Sequence, residues 1–198
     1  RGIYRMKIAL CLQGLSHGKS DKGIEVSFLD AAKMLKKSMV MHVGNVDFFI
    51  HTWSENKEEN DRIENTYRPK KSIYEKQIMF DKSPTKLHST KSRWYSHMKS
   101  VELKKKYEEE NGFKYDFVLV SRFDNCFITK FDFSNYEKGF FYSPTWYHPH
   151  SEKGFLDYWF FADSETMDKY SNLYEELDTY LLKEKLKLSN HVLSKYHA

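Results

Sequence analysis

At 198 residues, 40% hydrophobic and 17% aromatic, the chain is long enough for one α/β domain with a real core, too short for two, and too aromatic to be disordered. Its 32 basic and 28 acidic residues leave a net charge of +4, a mild tilt that suits small anionic ligands and does not by itself point to nucleic acid. The two cysteines, Cys11 and Cys126, give no disulfide framework and no zinc spacing, and no stretch approaches the ~18 apolar residues of a membrane span, so a reducing, cytoplasmic setting is expected.

Residues 1–5 are too short and polar for a signal peptide and read as an expression remnant ahead of Met6, which leaves a single domain over 6–198. "MKIALCL" predicts a buried strand, and "QGLSHGKSDKG" after it a loop. Ile24, Phe28, Ala31, Leu35 and Met39 recur at helical spacing, and "GNVDFFIHTW" turns into a second buried strand. Such a strand–helix–strand unit implies parallel strands. The polar stretch from Ser54 to Arg68 reads as a loop with one helical turn at most, and "KSIYEKQIMF" as a third strand. Trp94, Met98, Val101 and Tyr107 share one face of a long helix that Asn111-Gly112 ends. "YDFVLV" is the next strand, followed by "GFFYSP" and "DYWFFAD", and the chain from Ser164 to Lys187 reads as one amphipathic helix. The expected fold is α/β, a mostly parallel sheet with helices on both faces.

In open parallel sheets ligands bind beyond the carboxyl ends of the strands. Three strands here end in polar groups: Gln13, Gly14, Ser16, His17 and Lys19; then His51, Thr52 and Trp53; then Arg122, Asp124 and Asn125. If the strands are parallel, the three sets meet along one rim. The first loop has neither Walker nor GxGxxG spacing; it is either an ordinary turn or a cradle of amides for a diphosphate, with Lys19 assisting. Trp53 either packs on the sheet or forms a stacking wall for a ligand. Alternation puts Arg122 and Asp124 on one face, as a structural ion pair or as a site where the carboxylate takes a divalent metal and the guanidinium takes phosphate. His148 and His150 lack further spaced ligands and read as surface histidines. Asp157, at the start of an aromatic strand, is either a catalytic carboxylate or a strand-start residue, with Glu152 in reserve.

The order of "KIALCLQG", "VDFFIHTW", "YRPK", "WYSHMKSVELKKKYEEENGFKYDFVLVSRFDN" and "DYWFFADSETMDKYSNLY" resembles a family of small GT-A-like glycosyltransferases of bacterial polysaccharide clusters and large viruses. The resemblance runs from Met6 to about Tyr174. It implies a Rossmann-like domain, a nucleoside-diphosphate-sugar donor, a glycan or other hydroxyl acceptor, and a Mg²⁺ or Mn²⁺ ion. In that class a DxD motif binds the metal; here Arg122-Phe123-Asp124 stands in its place, which leaves Asp124 as the metal ligand. The donor would then meet Gln13, Gly14, Ser16, Lys19, His51, Trp53, Arg122 and Asn125, with Arg122 and Asp157 taking part in catalysis. Two other readings follow from the same features: a viral enzyme that glycosylates modified DNA bases, and a non-catalytic domain that binds nucleotide sugars.

Overall fold

Strand side chains alternate between two faces, and in this chain both faces are apolar. Ile8, Leu10 and Leu12 join Phe48, Ile50, Phe117, Leu119 and Phe161 in one buried layer. Ala9 and Cys11 join Phe49, Val118, Val120, Phe160 and Ala162 in the other. A sheet buried on both sides needs helices on both sides, and the structure, a computed structural model that describes residues 6–19, 25–40, 46–81, 86–144 and 154–198, provides them.

In chain order the elements are β1 (Ile8–Gly14), β2 (His17–Lys19), β3 (Glu25–Ser27), α1 (Phe28–Leu35), β4 (Val46–Trp53), α2 (Lys57–Tyr67), β5 (Lys71–Glu75), α3 (Lys86–Asn111), β6 (Phe117–Arg122), β7 (Phe141–Tyr142), β8 (Trp159–Ala162), α4 (Ser164–Tyr170), α5 (Leu173–Asp178) and α6 (Asn190–His197). Phe28, Ala32 and Leu35 of α1 and Ile63 and Tyr67 of α2 cover the first face. Trp94 and Val101 of α3, with Met167, Tyr170, Leu173, Leu177 and Leu193 of the last three helices, cover the second. Each fully buried large apolar side chain contributes roughly 1.5–3 kcal/mol.

The main sheet runs β5-β4-β1-β6-β8-β7. β5, β4, β1 and β6 are mutually parallel, β8 is antiparallel to β6, and β7 is antiparallel to β8. The single α/β domain with a mostly parallel sheet and helices on both faces is therefore present.

Four local expectations are corrected. His17–Lys19 does not run as loop into a helix from Ile24; it pairs antiparallel with Glu25–Ser27 as a small hairpin, and the helix starts at Phe28. The stretch expected to be loop after Ser54 contains α2. Asn56 caps it by accepting from the Glu59 N–H at 3.2 Å, and Ile63 and Tyr67, four residues apart, bury its thin apolar face. The long final helix is broken: α4, capped by Asp163, ends at Tyr170, and α5 restarts at Leu173 before a π-helical turn over Thr179–Lys183. "KSIYEKQIMF" is strand only over Lys71–Glu75. Residues 1–5, Ser20, Ile24, His148, His150 and Glu152, to which readings were also attached, lie outside the described residues.

Candidate functional site

Parallel pairing decides which strand ends meet. Gln13 lies opposite His51 on one side and opposite Arg122 on the other, and Gly14 lies opposite Thr52. All three polar sets therefore sit at one edge of the sheet. From β1 the chain adds β4 and then β5 on one side, and later adds β6 on the other. The order reverses between β1 and β6, the kind of crevice in which open α/β sheets bind ligands. Because β8 runs antiparallel to β6, with Trp159 opposite Ser121, the start of β8 comes to the same edge and brings Asp157 with it.

On the β4 side the rim is held by a buried relay. Nε2 of His51 lies 2.8 Å from Oε1 of Glu75, and Nδ1 lies 2.7 Å from Oγ of Ser96. A carboxylate only accepts, so Nε2 carries the proton and Nδ1 accepts from the Ser96 hydroxyl. Ser96 Oγ in turn accepts from the Gly14 N–H at 2.7 Å. Burial pushes the His51 pKa down against the opposing pull of Glu75, in keeping with the neutral ring this relay requires. A serine, a histidine and a glutamate in series resemble a nucleophilic triad. Here both the Ser96 and His51 residues are 0% exposed, and Ser96 is committed to the β1 backbone. What the relay does is fix Gly14, whose φ of 94° only glycine adopts easily, at the mouth of the crevice.

The β6 end carries the charge. Asp124 and Arg122 do not meet through strand alternation as expected, since β6 stops at Arg122 and the chain turns there. The turn itself brings them together: Arg122 Nε donates to Asp124 Oδ1 at 2.8 Å, and Nη2 donates to Oδ2, a bidentate pair. The Arg122 and Asp124 side chains are 39% and 30% exposed. Burial works to lower the Arg122 pKa, but the bond to Asp124 together with the charges of Asp124 and Asp157 raises it. Asn125 ties this turn to the neighbouring strand, donating to Ser121 Oγ at 2.9 Å and to the Tyr158 carbonyl.

Behind that pair stands a second guanidinium. Arg93, on α3, donates through Nη2 to the Asp157 carbonyl and sits with Nη1 3.4 Å from the Asp157 carboxylate. Burial pushes its pKa down, Asp157 pulls it up, and Arg122 pushes it down again, so the two cations feel each other. Nε of Arg93 is buried without a hydrogen-bond partner among the described residues. Asp157 is itself buried, with His191 Nδ1 3.6 Å from its other side, and that ring nitrogen donates to the Phe155 carbonyl at 2.7 Å.

Other expected site residues are placed differently. Ser16 is buried, accepting from Thr52 Oγ1 and bonded to His17 Nδ1, both at 3.0 Å. Lys19 is exposed on the hairpin and Gln13 is buried. Trp53 packs rather than lining an open wall: it is 6% exposed and stacks on Tyr95 at 5.4 Å. A groove between the hairpin, the start of α1 and α2 is lined by His17, Ser27, Phe28, Leu29, Glu59 and Arg62 among others. Sequence reading missed Glu75, Arg93 and Ser96. For Arg93 and Ser96 the signal was a polar stripe on α3 at helical spacing, Arg93, Ser96, Ser100, Lys104 and Glu108, running beside the apolar Trp94 and Val101; Glu75 ends β5 and had no such signal.

Among the described residues no group of three or more His, Cys, Asp or Glu side chains is arranged to hold a metal ion. The one partly exposed carboxylate at the β6 end is Asp124, so a cation arriving with a diphosphate would find a protein oxygen there once Arg122 turned away. No helix of the described residues is long and apolar enough to cross a membrane. No protein-family model matches the chain, and no curated protein matches it at a significant level.

Proposed function

We propose that the chain is a glycosyltransferase of GT-A-like architecture that moves a sugar from a nucleoside-diphosphate sugar to a hydroxyl acceptor. The observation that carries the reading is the pair of guanidinium groups, Arg122 and Arg93, at the switch point between β1 and β6. Arg122 stands partly exposed at that crevice and Arg93 is buried on Asp157 close by, and two cations so placed match the charge of a diphosphate. In this reading β5, β4, β1 and β6 form the nucleotide half of the sheet, and the β8–β7 pair forms the acceptor side.

In the transfer, the acceptor oxygen bonds to the anomeric carbon, the bond from that carbon to the diphosphate oxygen breaks, and the nucleoside diphosphate leaves with the electron pair. Arg122 and Arg93 stabilise the charge that develops on it, Arg93 the more effectively for its low exposure. Asp157 has two parts: it holds Arg93, and its carboxylate takes the acceptor proton. A Mg²⁺ or Mn²⁺ ion, where one is used, would be held by Asp124 and would add positive charge at the leaving diphosphate.

The test is a thermal-shift panel of nucleoside-diphosphate sugars with and without Mn²⁺, followed by assay of donor hydrolysis. A true donor at about 100 times its Kd should raise Tm by roughly 5–10 °C. With a working acceptor, Asp157→Asn should lower turnover by about 10²-fold. A panel in which no nucleotide sugar shifts Tm and none is hydrolysed would falsify the reading.

A further inference from the structure

The two guanidinium groups differ in a way that the donor reading does not require. Arg93 is the fixed one. Its side chain is 11% exposed, and Asp157 holds it through both a carbonyl and a carboxylate oxygen. Its Nε donor is buried without a partner among the described residues. Arg122 is the movable one. Its fork is closed on Asp124, two residues away, in a pair that stands partly in solvent. Pairs this exposed are worth little, so an incoming anion with two charges can displace the carboxylate.

We propose that Asp124 is an exchangeable counter-ion on Arg122, and that a diphosphate displaces it to bind across Arg122 and Arg93 without needing a divalent cation. The inference rests on the donor reading but goes beyond it. It makes Asp124 a competitor of the diphosphate in metal-free solution. The chemistry is one of exchange: one carboxylate leaves the Arg122 fork and two phosphate oxygens take its place, with the Arg93 charge behind them. Asp157 stays where it is, because His191 and Arg93 flank it and it is 8% exposed.

Calorimetry with inorganic pyrophosphate in EDTA tests this directly. Asp124→Asn should bind pyrophosphate about five-fold more tightly than the wild type, or better, the scale of one exposed ion pair. Arg122→Gln should lose at least tenfold. Arg93→Lys keeps a charge facing Asp157 but loses the two-point hold of the guanidinium; it should weaken binding several-fold, with Tm measured alongside so that a loss of fold is told apart from a loss of binding. Asp124→Asn with affinity equal to or below the wild type in EDTA overturns the inference, as does an absence of pyrophosphate binding in both proteins. A second arm uses nucleoside-diphosphate sugars with Mn²⁺. Binding there that Asp124→Asn abolishes, with no gain for that variant in EDTA, leaves the donor reading standing and assigns Asp124 to metal alone. A gain in EDTA with no nucleotide sugar bound in either buffer upholds the exchange and removes the donor reading.

Discussion

Lys104 is the side chain whose loss should be felt most. It is 0% exposed on α3, with Nζ 3.1 Å from Glu108 Oε2, 2.5 Å from Asp168 Oδ1 and 2.7 Å from Ser164 Oγ. Lys104→Met keeps the volume and removes the charge. Glu108, fully buried, and Asp168, 14% exposed, are then left with Lys114, which is 57% exposed and therefore a weaker partner. Breaking a buried pair from one side costs about 3–5 kcal/mol, and the surviving Lys114 places this case near the lower end. For a chain of this size about 3 kcal/mol is a drop in Tm of roughly 6–12 °C.

The effect also has a pH signature. Burial alone would raise the Glu108 pKa, but bonds from Ser164, from the Tyr115 N–H and from the two lysines hold it below its ordinary value. A carboxylate lowered on folding supplies stability above its unfolded pKa and loses it as pH falls. Without Lys104 that advantage shrinks or reverses, so the variant loses less on acidification. The gap between the two proteins should be widest at pH 7 and narrow only below about pH 4.5, the ordinary value, so that it is clearly smaller at about pH 3. Urea titrations at the first and last of these values measure it. A gap under about 1 kcal/mol at pH 7, or one equal at both values, refutes the reasoning.

Two further outcomes are expected. Ser96→Ala leaves the Gly14 N–H and the His51 Nδ1 unmet in the interior and should cost about 1–3 kcal/mol by chemical denaturation; a loss below about 0.5 kcal/mol would show that the relay is not holding the β1 end. His97 is fully enclosed, finds no partner for either ring nitrogen among the described residues, and is pushed by burial to a pKa of about 3. Because that folded value lies below the unfolded one, the wild type loses stability as pH falls below about 6.5, and His97→Leu should lessen the slope by about 1.4 kcal/mol per pH unit between pH 6 and 4. Parallel stability curves for the two proteins would contradict it.

The parts of the fold that could be read from sequence are those where a single period dominates. β1, β4 and β6 are short apolar runs because both their faces are covered, and their polar exits are where a parallel sheet must deliver them. α2 escaped because only Ile63 and Tyr67 of its 11 residues are buried, too thin a stripe for a periodicity argument, so that capping by Asn56 was the better clue. The break after Tyr170 was hidden because Ser171 and Asn172 interrupt an apolar pattern that resumes at Leu173. Of the candidate site, Arg122, Asp124, Asn125 and Asp157 could be placed because they sit at strand ends. Arg93 and Ser96 could not: α3 reaches the rim by packing across β1 and β4, and no spacing along the chain encodes which turn of the helix faces which strand end.

The ring stack on β8, next to the edge of the sheet, sets alignment as well as packing. Phe161, opposite Leu119, lies 4.9 Å from Phe117 and is ringed by Phe131, Phe133 and Tyr136 on one face, while its neighbour Phe160 packs against Trp94 on the other. If β8 slid by one residue, these two rings would exchange faces. The same slide would carry Asp157 away from Arg93 and the Tyr158 carbonyl away from Asn125. Buried aromatic rings on β8 thus act as the gauge that sets how the two sides of the crevice are aligned.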